Sequence, residues 1–93
     1  MVEIRWMNSA LESLRDILSY ISLDNPNYAM FLENRIFETV DHLRQFPKIG
    51  RIVPEYKTPN IREILFKGYR IIYQLKGEYI EILAIFHGAR LLE

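Results

Sequence analysis

In the middle of the chain the spacing of the hydrophobic residues changes from that of helices to that of strands, and this change most restricts what the chain can fold into. Between residues 10 and 43 apolar side chains recur every three or four positions, the period of amphipathic helices. From residue 61 they alternate with polar ones, the period of half-buried strands. Residues 2–7 read as a short strand before the helices. Helices and strands in separate segments indicate the α+β class.

Two helices are predicted before residue 47. Ser9 and Glu12 fit a capping box, so the first helix should begin there and extend to about residue 22. Asn25 suits the N-cap of the second helix and Pro26 its first position, and this helix should end near Phe46. Because the link between them is short, the two helices should form an antiparallel hairpin.

The second half of the chain predicts a sheet. Residues 47–60 hold three prolines and Gly50 and are predicted to form a loop. Three strands should follow, separated by glycine-containing turns, at residues 61–66, 69–75 and 79–86. The predicted fold is β-α-α-β-β-β, an antiparallel sheet covered on one face by the helical hairpin, in one domain over residues 1–93. The pattern does not tell where the first strand joins the sheet.

Composition excludes several classes of protein. The 93 residues include no cysteine, which excludes a disulfide framework, a thiolate zinc site and a cysteine nucleophile. No apolar run approaches the roughly 20 residues of a membrane span, and the N-terminus lacks the features of a signal peptide, so we expect a cytoplasmic protein without membrane contact. The sequence contains no phosphate-binding glycine loop, HExxH motif or calcium loop, and His42 and His87 lack metal-ligand spacing. We therefore expect neither a cofactor nor a metal.

Charge is sorted along the chain although its formal total is zero. Residues 1–43 hold three basic and seven acidic side chains, a net charge of −4, whereas residues 44–93 hold nine basic and five acidic ones, a net charge of +4. This asymmetry fits either an anionic partner for the C-terminal half or a mixed surface that happens to be sorted.

Four residues of the C-terminal half are candidates for chemistry. Arg62 and Arg70 lie within predicted strands, and the alternation places Arg70 on the face that points away from the helices. They could recognise phosphate or carboxylate, or Arg70 could be an exposed arginine paired with Glu63 or Glu81 across the sheet. His87 and Arg90 flank Gly88, a bend-permitting residue after the last strand. Arg51, after Gly50, is a weaker signal, because a turn glycine followed by a solvated arginine explains it fully.

The chain resembles the RelE/ParE toxin superfamily of type II toxin–antitoxin systems. The resemblance is carried by an ordered set of short segments that spans nearly the whole chain: Ala10 to Tyr20, Asn25-Pro26, Leu43 to Arg51, Ile61 to Ile64, Tyr69 to Tyr73 and His87 to Arg90. It implies a toxin that inhibits growth and is neutralised by a cognate antitoxin in a heteromeric complex. It further implies that promoter DNA is bound only through the antitoxin.

The resemblance leaves the target open between two branches. ParE-like members inhibit DNA gyrase as binding proteins, and the pieces around Arg51 and His87 are closer to that branch. In this interpretation the target-binding residues are Arg51, Arg62, Arg70, His87 and Arg90. RelE-like members cleave messenger RNA on the ribosome, and then Arg62, Arg70, His87 and Arg90 would be the catalytic set, with His87 as the base. RelE-like toxins are strongly basic, and many carry a tyrosine or a histidine–tyrosine pair near the C-terminus, whereas this chain is neutral and no tyrosine follows Tyr79. A third interpretation is a member that binds its antitoxin but poisons nothing.

Overall fold

The computed structural model describes residues 2–88, and the predicted order of elements is confirmed there. The helices are α1 (Asn8–Ser22) and α2 (Pro26–Asp41), followed by a 3₁₀ turn at His42–Arg44. The strands are β1 (Glu3–Trp6), β2 (Arg51–Ile52), β3 (Ile61–Phe66), β4 (Tyr69–Leu75) and β5 (Tyr79–His87). β2 is an addition, because residues 47–60 were predicted to be a loop without a strand.

All five strands form one sheet in the order β1-β5-β4-β3-β2. β3, β4 and β5 pair antiparallel as predicted, and β2 adds an antiparallel edge strand beside β3. β1 pairs parallel with β5. The hairpin between β3 and β4 turns through Lys67 and Gly68, whose φ angles of 49° and 85° are those that a two-residue hairpin loop requires. β2 covers only the first half of β3, pairing with Arg62 and Glu63.

The two helix starts differ in how well the sequence predicts them. Asn25 caps α2 as predicted, its side-chain oxygen accepting the Tyr28 N–H at 3.0 Å, with Pro26 in the first turn. The capping box at Ser9 is wrong: α1 already begins at Asn8, and Met7 is its N-cap without a side-chain hydrogen bond. The cause is the preceding strand, because the Met7 N–H still bonds to the β5 carbonyl of Ile82 at 3.0 Å and sets the helix start.

One hydrophobic core lies between the helical hairpin and the sheet. It is formed by buried residues of both helices and of the two central strands, with Leu43 of the 3₁₀ turn: Ala10, Leu14, Leu32, Ile36, Val40, Leu43, Ile71, Tyr73, Ile80, Ile82 and Ile85. A register shift between β4 and β5 at Ile72/Tyr73 allows Ile82 and Ile85, three positions apart, to face this core together. Neither layer could bury its apolar side without the other.

The second face of the sheet is covered in part by the segment after β2. Val53 and Ile72 are buried there, and so are Glu63 and Arg70. Arg70 therefore points away from the helices as predicted, but it is buried and not exposed. No helix within residues 2–88 is both long and apolar enough to cross a membrane.

Candidate functional site

Glu63 of β3 connects two of the candidate arginines on the second face of the sheet. Its carboxylate accepts the Nε–H of Arg70 at 2.7 Å and, through its other oxygen, the Nε–H of Arg51 from the neighbouring β2. The Glu63 side chain is 0% exposed and that of Arg70 is 8% exposed, whereas that of Arg51 is 57% exposed. The strand register produces this arrangement, because Arg51 lies directly opposite Glu63 and Arg70 lies on the strand beyond.

Glu55 forms an ion pair with the other end of the Arg70 guanidinium. Its carboxylate oxygens accept from Nη1 at 3.3 Å and from Nη2 at 3.1 Å. The Arg70 guanidinium lowers the pKa of Glu55, and the hydrogen bonds that Arg70 donates to Glu55 and Glu63 raise the pKa of Arg70. Arg51, Glu63, Arg70 and Glu55 thus form one ion-pair chain, which we call the carboxylate–arginine chain, and it fastens the segment after β2 to the sheet.

Arg62 lies on the opposite face of the sheet from this chain. It is directly opposite Tyr73, a core residue, and its guanidinium donates to three backbone carbonyls of the segment between α2 and β3. The acceptors are Pro59 O at 3.0 Å, Lys48 O at 3.1 Å and Gly50 O at 3.1 Å. Arg62 therefore holds two turns of that segment together.

Tyr73 anchors the same segment from the core side. Its hydroxyl donates to Pro47 O at 2.8 Å and accepts the Gly50 N–H at 2.9 Å. Burial raises the pKa of Tyr73. A Cβ on Gly50 would lie 2.7 Å from both the Tyr73 Oη and the Glu63 carbonyl oxygen. A glycine is therefore required at position 50, because β3 and β4 approach its backbone too closely for a side chain. The sequence had indicated only that Gly50 lies in a loop.

His87 occupies the end of β5, on the face that carries the helices. Its ring lies 4.8 Å from that of Tyr69, its cross-strand neighbour, and it is exposed. Burial raises the pKa of Tyr69. Gly88 follows with a φ of 73°, which fits the predicted bend. The predicted residue Arg90 lies outside the described residues.

The structure therefore divides the candidate residues between the two faces. It joins Arg51 and Arg70 through Glu63, and it separates them from Arg62 and His87. The roles of Glu55 and Tyr73 were not predicted from the sequence. Glu55 is a loop residue whose partner Arg70 is distant in sequence, and Tyr73 bonds to a loop carbonyl, and neither contact produces a periodic pattern. Glu63 was identified only as one of two alternative partners for Arg70. Within residues 2–88 no group of three histidine or carboxylate side chains is arranged to hold a metal.

One surface cleft lies beside Arg51 and Glu63, and another lies on the helical layer. A cleft of about 760 Å³ lies between α2 and the edge formed by β2 and β3, with Arg35, His42, Ile49, Arg51 and Leu65 among its walls. A groove of about 470 Å³ runs between α1 and α2 and is lined by Leu11, Leu18, Met30, Phe37 and other residues of both helices. We call the second one the interhelical groove.

Comparison with known proteins gives a family match over most of the chain. Residues 4–92 match the family described as the ParE toxin of the type II toxin–antitoxin system parDE. The chain is also 34% identical, over 87 residues, to Y4kP of Sinorhizobium fredii, whose description as a toxin is itself provisional. That match covers 91% of this chain and 86% of Y4kP.

Solved structures share the fold. A chain of the chromosomal ParDE toxin–antitoxin system from P. aeruginosa superposes with a TM-score of 0.80 at 24% identity, covering 96% of this chain and 98% of that one. A chain of the RelBE2 toxin–antitoxin complex from Mycobacterium tuberculosis gives a TM-score of 0.60 at 16% identity, with 92% and 96% covered. A conserved hypothetical protein from Helicobacter pylori gives 0.53 at 16% identity, with 94% of each chain covered.

Proposed function

The chain belongs to the ParE toxin family of type II toxin–antitoxin systems, and from this premise we propose that it arrests growth by binding DNA gyrase and that a cognate antitoxin neutralises it. It acts as a binding protein in this proposal and catalyses no reaction. The identified ParE branch supports the target, since the resemblance attaches gyrase inhibition to ParE-like members and messenger RNA cleavage to RelE-like ones.

The observation that carries the binding mode is the surroundings of Arg70. Its guanidinium lies between the Glu63 and Glu55 carboxylates, and its side chain is almost fully buried. A catalytic arginine must place its charge on the phosphate in the transition state. Here the wholly buried Glu63 stays bonded to Arg70 and offsets its charge, and Arg62 would have to leave three carbonyls. These contacts support a structural role for both arginines and a binding mode for the protein.

The exposed candidates are the ones that can reach a partner. Arg51 extends from the short edge strand β2, with only its Nε–H held by Glu63, and His87 lies at the end of β5. We propose that Arg51 and His87 contact the target, while Arg62 and Arg70 shape the segment that presents Arg51. For Arg90, outside the described residues, target contact remains a proposal from the sequence.

A second candidate function is messenger RNA cleavage on the ribosome, and one observation favours it. His87 and Tyr69 lie side by side at the end of the sheet, with their ring centroids 4.8 Å apart. In this candidate His87 takes the proton of the attacking 2′-hydroxyl and Tyr69 protonates the leaving oxygen. This candidate makes the chain an endoribonuclease.

The experiment that separates the two candidates is brief expression of the chain in cells that lack the antitoxin, followed by mapping of messenger RNA 5′ ends. We expect growth arrest with intact messages, relieved when the antitoxin is co-expressed. New cuts inside translated frames would support the endoribonuclease if His87→Ala removes them. The matched control is His42→Ala, because His42 is the other histidine and is also exposed. Expression without growth arrest would favour the third interpretation, a family member that binds its antitoxin but is not toxic.

The antitoxin is proposed to occupy the interhelical groove. The resemblance implies that the antitoxin covers the helical layer or the working surface, and the groove presents large apolar side chains to solvent. Met30 and Phe37, which line the groove, are exposed. Elsewhere on the helical layer Phe31 of α2 is exposed, as are Tyr20 and Leu23 at the end of α1 and just after it. Such a concentration of exposed apolar residues on a small protein is typical of a protein interface.

A further inference from the structure

The tip of the Arg70 guanidinium opens into a surface cleft that a loop carboxylate fills. We infer that this tip is an oxyanion-binding site occupied by the chain's own Glu55, and that a carboxylate or phosphate group from outside takes the place of Glu55. The inference concerns the cleft alone and does not depend on gyrase being the target.

The division of hydrogen bonds on Arg70 is the first support. The Nε edge bonds to Glu63, which is wholly buried, whereas the tip nitrogens Nη1 and Nη2 bond separately to the two oxygens of Glu55. A guanidinium bonded through two nitrogens to two oxygens binds free carboxylates and phosphates in the same way. Glu55 is therefore a stand-in for an oxyanion ligand.

The two carboxylates differ in how easily they can be exchanged. Glu63 is 0% exposed and is also bonded to Arg51, so it cannot leave without breaking both pairs. Glu55 is 43% exposed and lies in the surface segment between β2 and β3. An ion pair that water reaches is weak and competes with other anions. Glu55 can thus swing out while Glu63 stays in place.

Charge favours a replacement once Glu55 has left. Arg51, Glu63 and Arg70 would then carry a net charge of +1, with Arg70 still mostly buried. A buried cation without a full counter-charge is unfavourable, and an anion that enters restores the balance.

Space for this anion is present beside Arg70. The cleft has a volume of about 430 Å³, and its walls include Arg51, Pro54, Leu65 and Tyr69. Arg51 adds a second cation to the wall, and Gly68 and Gly88 keep the far side free of side chains. The cleft therefore accommodates a phosphate group or an acidic side chain of another protein.

The test is a titration of the full-length chain, followed by the backbone amide resonances of Leu65 and Arg70. The probes are inorganic phosphate in one arm and N-acetyl-glutamate amide in the other, at constant ionic strength. The variants are Glu55→Ala, which vacates the tip, and Glu55→Gln, which keeps the shape but removes the charge. The matched control is Glu12→Ala, which removes one exposed carboxylate on α1, on the other side of the sheet.

We expect Glu55→Ala to bind the probes at least about threefold more tightly than the wild-type chain, because a weak competing ion pair has been removed. Glu55→Gln should lie between the two, and Glu12→Ala should equal the wild type. Tightening in both arms means that the site takes any oxyanion, and tightening in one arm identifies the source. Equal affinities for Glu55→Ala and Glu12→Ala, or shifts that do not reach Leu65 and Arg70, would overturn the inference. Unchanged resonances of Ile71 and Tyr73 verify that each variant is folded.

Discussion

The amide of Gly50 lies 2.9 Å from the hydroxyl of Tyr73, and no side chain fits between them. This contact joins the segment after α2 to the centre of the sheet and fixes where β2 begins. Since Arg51 is the next residue, the same contact positions the arginine that we propose to touch the target.

Replacement of Gly50 by alanine should destabilise the protein. Its Cβ would lie 2.7 Å from the Tyr73 Oη and from the Glu63 carbonyl oxygen, so the segment must shift. Overpacking of this kind costs about 1–3 kcal/mol. Urea unfolding of Gly50→Ala checks the value against Lys48→Ala, a change at an exposed residue of the same segment that should stay within about 0.5 kcal/mol of the wild type. Equal stabilities for the two variants would contradict the close contact.

Removal of the Tyr73 hydroxyl should lower the stability of the protein at neutral pH. It should also reduce the loss of stability that occurs as the pH rises into the alkaline range. Tyr73→Phe leaves the Gly50 N–H and the Pro47 carbonyl without this partner, which costs about 1–3 kcal/mol. Burial raises the pKa of Tyr73 above its ordinary value of 10.0, so the folded state holds the proton more tightly than the unfolded one. The wild type must therefore lose stability as pH rises above about 10, and Tyr73→Phe must lose less. Tyr69, whose pKa is also raised, contributes to the part that remains. Unfolding curves between pH 8 and pH 11 measure both effects.

Replacement of Glu63 by glutamine should be among the most damaging single changes of charge. Among the described residues, the variant leaves the buried Arg70 with Glu55 as its one carboxylate partner and removes the carboxylate that Arg51 bonds to. Loss of one partner of a buried pair costs about 3–5 kcal/mol. The control is Glu38→Gln, since Glu38 pairs with Arg35 on the surface of α2 and is 70% exposed. That change should cost about 0.5 kcal/mol or less. Similar denaturation midpoints for the two variants would argue against a buried carboxylate–arginine chain.

The Glu55–Arg70 pair should make acid stability depend on Glu55. Arg70 lowers the pKa of Glu55 below its ordinary value of 4.5, so this group stabilises the fold above pH 4.5 and the contribution is lost as pH falls through the folded-state pKa. The difference in unfolding free energy between wild type and Glu55→Gln should be constant from pH 6 to pH 7 and should shrink below pH 4.5. Thermal unfolding at several pH values tests this. A difference that grows on acidification would contradict the pairing.

A charge placed in the interhelical groove should separate antitoxin binding from toxicity. Met30→Asp puts a carboxylate at an exposed apolar position of α2 that lines the groove, so the stability of the toxin should change little. The desolvated charge should weaken antitoxin binding by at least about tenfold. Co-purification with the antitoxin and titration calorimetry measure the loss. Lys57→Asp, at an exposed position in the segment before β3, serves as control and should leave antitoxin affinity unchanged.

The fold could be predicted from the sequence because its determinants are local or periodic. Asn25 and Pro26 specify a helix start by themselves, and the pair Lys67 and Gly68 specifies a two-residue turn. The start of α1 was predicted wrongly, because the hydrogen bond of Met7 to β5 overrides the capping signal of Ser9. The parallel pairing of β1 with β5 likewise depends on contacts between distant segments.

The candidate site was only half predictable for the same physical reason. The strand period identified Arg70 and its face, but burial of that face depends on the segment after β2, which has no period. Glu55 approaches Arg70 because that segment folds back, and sequence spacing contains no information on this. Arg51 and Arg62 lie on opposite faces of the sheet, and this follows only from the register in which β2, β3 and β4 pair.

The most direct test of the central claim is a supercoiling assay with DNA gyrase and the purified chain freed of its antitoxin. We predict that the chain inhibits ATP-dependent supercoiling, that added antitoxin restores it, and that Arg51→Ala inhibits less than Arg15→Ala, a change at an exposed residue of α1. Full gyrase activity at concentrations of the chain that cleave messenger RNA on purified ribosomes would contradict the claim and establish the endoribonuclease instead.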